Sequence, residues 1–221
     1  MNAPLSTLKL TLATTLGAII VAAGVPDRAF AGAPVPDAEL FATSNTAVIT
    51  DPADPRLDAR LVRFDASVKA IIRNGGGVPR GSRLLDGVFF SSELGTTTFE
   101  RSRDFDLDSV TRRELHTIAD RIRRRFHQQS VLTFDYAERP RDSRDAVEIE
   151  LPGVSAKRLR DGLLGDAEAR RRLVGGSRTL SGRLVLIAAR SDLPLAKRFA
   201  TDIGGNVEAA TVRFGHREFV G

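Results

Sequence analysis

The stretch from Thr96 to Tyr136 constrains the fold of this chain more than any other. Thr111 and Glu114 match a capping box, in which the two side chains satisfy backbone N–H groups at the start of a helix. The apolar residues that follow recur at helical spacing, namely Leu115, Ile118, Ala119, Ile122 and Phe126. The flanking segments, Thr96 to Asp106 and Ser130 to Tyr136, have the composition of strands. The stretch therefore predicts a strand, a capped helix and a second strand.

The segments before this stretch complete a unit of six elements. Thr46 to Thr50 predicts a short strand, and residues 56–73 predict an amphipathic helix. Asp86 to Ser91 predicts a buried strand that enters Thr96 to Asp106 through a hairpin. Residues 46–137 thus have the βαββαβ order of a ferredoxin-like unit.

Residues 146–221 predict the same order of elements a second time. Ala146 to Leu151 alternates between apolar and acidic residues, and Leu184 to Ala189 is wholly apolar. The highly charged residues 138–145 predict a linker between the halves. The expected fold class is α+β, with tandem ferredoxin-like (βαββαβ) halves. Each half has an antiparallel sheet with helices packed on one face, and the halves lie side by side or share one sheet.

The amino terminus has the features of a secretory signal peptide. Lys9 precedes an uncharged apolar run from Leu10 to Val25, and Ala29 and Ala31 supply small residues at a cleavage site. The run is shorter than the roughly 20 residues that span a bilayer, although an uncleaved anchor is the alternative. Residues 1–31 therefore predict export, with the mature chain secreted or periplasmic and without a membrane span. Residues 32–45 predict an N-terminal arm.

The composition limits the chemistry that this chain can carry. Cysteine is absent from its 221 residues, which excludes disulfides, thiol nucleophiles and thiolate metal sites. The net charge of +5 arises from 33 basic and 28 acidic residues, too even a balance for a nucleic-acid-binding protein. The triple glycine after Asn74 follows a helix rather than preceding one, so it is not a phosphate loop. No cofactor is expected. Self-association through sheet edges is an open alternative.

Arginines concentrate on the central helix and on the strand before it. They are Arg101, Arg103, Arg121, Arg123, Arg124 and Arg125. Arginine suits bidentate recognition of carboxylate and phosphate groups. These residues are the candidates for binding an anionic ligand or a partner protein, and the alternative is a solvated helix face.

Two weaker patterns involve acidic residues. Asp104, Asp106 and Asp108 lie two apart and share one face of a strand, but Ser109 and Leu115 occupy positions where a calcium loop needs glycine and glutamate. No metal site is predicted, and these aspartates are the only candidates for one. His116 and Asp120 lie four apart on the helix, where the carboxylate could orient the ring for catalysis.

Together these patterns predict an exported, non-catalytic α+β protein of bacterial type. Its expected activity is the binding of a partner protein or an anionic ligand through the arginine-rich helix. The alternative is a secreted hydrolase of unknown substrate that uses a dispersed His/Asp or Ser/His site, with His116 and Asp120 as its candidates.

Overall fold

The computed structural model describes residues 37–44, 46–136 and 145–221. The strands are β1 (Ala38–Thr43), β2 (Val78–Ser91), β3 (Thr96–Asp108), β4 (Val131–Tyr136), β5 (Ala146–Leu151), β6 (Gly175–Thr179), β7 (Leu184–Ala189) and β8 (Thr211–Val220). The helices are α1 (Val62–Asn74), α2 (Arg112–Arg125), α3 (Ala156–Gly165), α4 (Ala167–Arg172) and α5 (Leu193–Asp202). Short 3₁₀ turns occur at Pro55–Asp58, Arg190–Asp192 and Val207–Ala209.

The strands form one closed barrel in the order β1-β3-β2-β6-β7-β5-β8-β4. Every neighbouring pair is antiparallel, and β4 closes the barrel by pairing with β1, where Ala38 lies opposite Asp135. Closure gives every strand a hydrogen-bonded neighbour on both sides, which removes the exposed edges that promote aggregation.

The prediction of tandem ferredoxin-like α+β halves is therefore wrong. Strand β2 pairs with β6 from Leu85↔Thr179 to Phe89↔Gly175, and β4 pairs with β8 from Val131↔Val220 to Tyr136↔Gly215. These two seams join the strands of both chain halves into a single barrel, so neither half keeps an open sheet of its own. Long-range pairing of this kind leaves no local signal in a sequence.

The first strand also differs from its predicted position. Strand β1 is Ala38–Thr43, within the segment predicted to be an N-terminal arm, whereas Thr46 to Thr50 contributes only a single bridge between Ile49 and Phe99. Glu39 occupies a buried position in β1, where an acidic residue is uncommon. Residues 1–31 and 137–144, which include the predicted signal peptide and most of the predicted linker, lie outside the described residues.

The outer face of the barrel carries the apolar core, because the helices cover it. Helices α1 and α2 pack on Leu40, Phe105 and Leu107, while α3 to α5 pack on the outward residues of β5 and β7, such as Ile149 and Leu186. Burying such side chains contributes roughly 1.5–3 kcal/mol each. The alternate residues of each strand consequently face the barrel interior. Among the described residues, no helix is long and apolar enough to cross a membrane.

Helix α2 begins at its predicted cap, and the residues just after its end direct Gln128 toward the barrel interior. The capping box of Thr111 and Glu114 is confirmed, and the buried stripe includes Leu115 and Ile122. His127, just beyond the helix, adopts a left-handed conformation with φ 53°. The next residue, Gln128, turns inward and is only 7% exposed.

Candidate functional site

The barrel interior has a charged end, where four almost fully buried carboxylates come together. Glu39, Asp104, Glu148 and Glu150 are each at most 1% exposed. Three arginines pair with them, namely Arg83, Arg183 and Arg213. Buried charges of this kind require partners, because removing an ion from water costs several kcal/mol. We call these seven residues, with Tyr136, the charged layer.

Arg83 links two strands of the charged layer. Its Nε donates to Asp104 Oδ2 at 2.7 Å, and its Nη1 donates to Glu150 Oε2 at 2.9 Å. Arg183 Nε donates to the other oxygen of Glu150 at 2.7 Å. Glu150 therefore bridges two guanidinium groups, and the contacts tie β2, β3, β5 and the start of β7 together inside the barrel.

A second set of contacts surrounds Glu148. The Tyr136 hydroxyl donates to Glu148 Oε2, and Arg213 Nη1 lies 3.6 Å from Glu148 Oε1 and 3.9 Å from Glu39 Oε1. The nearby carboxyl of Glu39 raises the pKa of Glu148. Two carboxyl groups in contact can form a hydrogen bond only when one of them carries a proton.

The charged layer holds more acids than bases, and the pKa values reflect this. Burial raises the pKa of Asp104 well above its usual range, and the charge of Glu39 raises it further while Arg83 opposes the rise. Burial likewise raises the pKa of Glu148, again reinforced by Glu39 and opposed by Arg213. The excess of acidic over basic residues thus favours the protonated forms of Asp104 and Glu148 over those of exposed carboxyls.

The other end of the barrel opens into a cavity of about 320 Å³. Its apolar lining includes Phe41, Phe89, Leu132, Val185, Ile187 and Phe219, and its polar lining includes Glu100, Ser102, Gln128, Ser130, Ser177 and Arg217. Along β2, inward-facing Leu85 separates Arg83 from Phe89, and along β4, Phe134 separates Tyr136 from Leu132. Apolar residues thus lie between the charged layer and the cavity.

Glycines in the strands make room for an aromatic wall of the cavity. A Cβ at Gly87 would lie 2.5 Å from Phe89 Cε2, and a Cβ at Gly175 would lie 2.5 Å from Phe89 Cδ1. The ring of Phe89 therefore lies close to the backbone of both glycines, on two neighbouring strands, and a larger residue at either position would collide with it.

Gln128 lies in the wall of the cavity and carries an unsatisfied hydrogen-bond donor. Its Oε1 accepts from the backbone N–H of Thr43 at 3.2 Å, which fixes the orientation of the amide. Its Nε2 is buried and has no hydrogen-bond partner among the described residues. A buried polar group left without a partner costs about 1–3 kcal/mol, so this donor is a feature that requires an explanation.

Two further polar groups line the cavity. Burial raises the pKa of Glu100, although a hydrogen bond with Ser102 opposes the rise. Arg217 forms no side-chain ion pair within the described parts of the chain. The cavity thus combines a carboxyl whose pKa is raised by burial with a guanidinium group that has no ion-pair partner among the described residues.

The rim of the cavity has two unusual residues. Val174 has φ 66°, a left-handed conformation that β-branched residues rarely adopt. Phe219 is 61% exposed although it lines the cavity, so much of its ring faces solvent at the opening. Strained backbone and exposed aromatic rings both concentrate at binding sites.

The structure separates the three candidate aspartates. Asp104 belongs to the charged layer, and oxygens of Glu39, Asp104 and Asp106 lie within 4.8 Å of one another. Carboxylate oxygens are suitable ligands for a hard cation, but Asp104 already binds Arg83. Asp108 instead pairs with Arg80 at the end of its strand. That no metal site is present stays a prediction. Among the described residues, the carboxylates that come together are those of Glu39, Asp104 and Asp106, so Asp108 is not part of the group.

The candidate arginines do not lie together as one patch. Arg101 is buried and paired with Asp86, and Arg103 lies 3.6 Å from Asp65 on α1. On α2, Arg123 and Arg124 both contact Asp120, at 3.1 and 2.7 Å. Arg121 lies 3.5 Å from the backbone oxygen of Asn74, and Arg125 is exposed at the end of the helix. The anion-binding hypothesis for this face stays a prediction.

His116 and Asp120 have different partners. His116 Nδ1 lies 2.9 Å from Glu218 Oε1 on β8, whereas Asp120 pairs with Arg123 and Arg124. His116 is 52% exposed and lies on the outside of the barrel. The catalytic hypothesis for this pair stays a prediction.

Sequence reasoning missed most residues of the interior, including Glu39, Arg83, Glu148, Gln128 and Arg217. The alternation of Glu148 and Glu150 with apolar residues was visible, but it predicts a polar face without showing what covers that face. A solvent-facing strand and a barrel strand with a polar interior have the same period of two. The sequence did not predict that Gln128 faces the interior, because the position of this residue depends on how the chain leaves the end of α2.

The chain matches no family model, and no curated protein or solved structure is similar enough to count as a match.

Proposed function

We propose that this protein binds a small, largely apolar organic molecule in the open cavity of its barrel. The observation that carries the proposal is the cavity of about 320 Å³ whose wall includes Gln128, a residue with a buried Nε2 that has no hydrogen-bond partner among the described residues. Small-molecule sites are concave and mainly apolar, with a few polar groups that orient the ligand. The lining of Phe41, Phe89 and Ile187 beside Gln128 and Arg217 has this composition.

The layout of the barrel supports binding at this end. The charged layer and the apolar residues above it fill the opposite end with side chains, as in barrels of eight strands that hold one small ligand. The helices of both chain halves cover much of the outside, and at the opening Phe219 and Val174, which are 61% and 49% exposed, leave apolar surface accessible. Filling that end of the barrel with a ligand would remove this surface from water.

A cavity-filling substitution tests the proposal. Ile187 faces the cavity, so Ile187→Trp is expected to occupy it without disturbing the apolar core outside the barrel. The probe is 8-anilinonaphthalene-1-sulfonate, whose fluorescence increases on apolar surfaces. We expect the wild-type protein to bind it saturably and Ile187→Trp to weaken binding by about tenfold or more, as expected when the contacts of one ring are lost.

Leu180→Trp is the matched control, because Leu180 is 66% exposed in the turn between β6 and β7 and does not line the cavity. It is expected to bind the probe as the wild type does. Equal binding by Ile187→Trp and wild type, with both folded by circular dichroism, would show that the probe binds elsewhere and would refute the proposal.

A further inference from the structure

Gln128 defines what the polar end of a ligand must supply. The amide is 7% exposed, and Thr43 holds its oxygen, so both Nε2 hydrogens are directed away from that contact. A group that satisfies them must be a hydrogen-bond acceptor. An ammonium or another pure donor would leave this amide unsatisfied and add a second unpaired group.

Arg217 adds the requirement of negative charge. It lines the same cavity and, among the described residues, has no carboxylate partner. An acceptor that carries a charge forms shorter and stronger bonds to a guanidinium group than a neutral acceptor does. Arg172 also reaches the cavity, but Asp192 and Glu168 already pair with it.

Glu100 is compatible with an anion in this cavity. Its burial raises the pKa of its carboxyl, which lessens the repulsion between this side chain and a bound anion. The hydroxyls of Ser102, Ser130 and Ser177 can donate as well. Gln128, Arg217 and these three serines therefore give the cavity hydrogen-bond donors beside its apolar wall.

Resting on the proposed function, we infer that the ligand is a small organic acid, with its carboxylate bound by Gln128 Nε2 and Arg217 and its apolar body against Phe41, Phe89 and Ile187. The cavity volume of about 320 Å³ lies at the lower end of the range for small-molecule sites, which suits a short acyl or aromatic acid.

The test compares three probes that share one chain and differ in their polar end, namely octanoate, octan-1-ol and octylamine, each titrated calorimetrically into the purified protein. The wild type is expected to bind octanoate about tenfold more tightly than octan-1-ol, the gain from a charge-assisted hydrogen bond. Octylamine is expected to bind most weakly.

Gln128→Glu is the decisive variant, because it keeps an oxygen that accepts from the Thr43 N–H and replaces only the donor with an acceptor. It is expected to weaken octanoate binding by about tenfold or more while changing octan-1-ol binding by less than about twofold. Arg217→Gln is expected to act in the same direction. Arg112→Gln removes a charge from the surface pair with Asp135 and is the control that leaves octanoate binding unchanged.

Failure of the carboxylate inference can be told apart from failure of the proposed function. If octan-1-ol and octanoate bind equally and Ile187→Trp abolishes both, the carboxylate inference is overturned and the cavity remains the binding site. If octanoate preference survives both Gln128→Glu and Arg217→Gln, the inference is overturned as well. Absence of binding by all three probes and by the fluorescent sulfonate overturns the inference and the proposed function together.

Discussion

Replacing Arg83 with methionine is expected to lower the free energy of unfolding by about 3–5 kcal/mol at pH 8, because it breaks buried ion pairs by removing one partner. Arg83 is 13% exposed as a side chain and contacts Asp104 and Glu150, which are 0% and 1% exposed. Methionine fills similar volume, so the loss comes from the stranded carboxylates rather than from a cavity. Urea denaturation followed by circular dichroism measures the change.

The loss in Arg83→Met is expected to shrink at pH 5, because a protonated carboxyl needs no cation. Arg80→Met is the matched control. Arg80 pairs with Asp108 but is 64% exposed, and surface pairs contribute at most about 1 kcal/mol. Equal stability of the two variants at pH 8 would mean that the charged layer is not buried in the way described.

The second large effect concerns pH. The pKa values of Asp104 and Glu148 are raised in the folded protein, so the folded chain holds protons that the unfolded chain releases. These protons stabilise the fold fully below the unfolded pKa of about 4, and this stability is lost as pH rises toward the folded pKa values. A tenfold difference in proton affinity between the folded and unfolded chains corresponds to about 1.4 kcal/mol. We therefore expect Tm to fall from pH 5 to pH 9.

Acidification below about pH 4 is expected to lower the stability of the fold, because other carboxyls have pKa values that are lowered in the folded protein. Hydrogen bonds from Ser82 and Lys69 lower the pKa of Asp65 against its partial burial, and backbone hydrogen bonds lower that of Asp166. Their contribution disappears when they become protonated. Maximum stability is thus expected in mild acid rather than at neutral pH.

Glu148→Gln tests how much the raised pKa of Glu148 contributes to the pH dependence of Tm. A glutamine can accept from the Tyr136 hydroxyl and donate to Glu39, which reproduces the hydrogen bonds of a protonated glutamate. The variant is expected to match the wild type at pH 5 and to exceed its Tm at pH 9, with a shallower slope between. Glu208→Gln, at an exposed position, is expected to keep the wild-type slope. An unchanged slope in Glu148→Gln would refute a protonated carboxyl at this position.

Local patterns predicted the helices of this protein well, because their signals lie in neighbouring residues. The capping box at Thr111 and the buried stripe from Leu115 to Ile122 depend only on side chains within α2. The burial of Val147, Ile149 and Leu151 followed from alternation in the same way.

Features that depend on distant partners were not predictable. The proline and glycine within Val78 to Arg83 favour a loop, but the segment is part of β2, because pairing with β3 overrides these local preferences. Gly215 likewise favours a turn, but β8 runs from Thr211 to Val220 without interruption. A Cβ on residue 215 would lie 2.4 Å from Phe134 Cε1. The glycine therefore leaves room for the ring of Phe134, which belongs to the neighbouring strand β4.

The charged layer and the cavity also combine features that local patterns predict with features that depend on distant strands. Glu148 and Glu150 were recognised as one face of a strand, but only closure of the barrel puts that face opposite Arg83 and Arg213. The cavity likewise depends on residues from separate strands and on the end of α2 at Gln128. No spacing along the chain relates them.

The side-chain amide signal of Gln128 in a ¹⁵N–¹H spectrum, assigned by its loss in Gln128→Glu, tests the cavity as a ligand site most directly. During titration with 8-anilinonaphthalene-1-sulfonate, we expect this signal to shift and to saturate with the Kd obtained from fluorescence. In Ile187→Trp it should stay in place. A Gln128 signal that does not move while the wild-type protein binds the probe would contradict the central claim, that the barrel cavity is a ligand site.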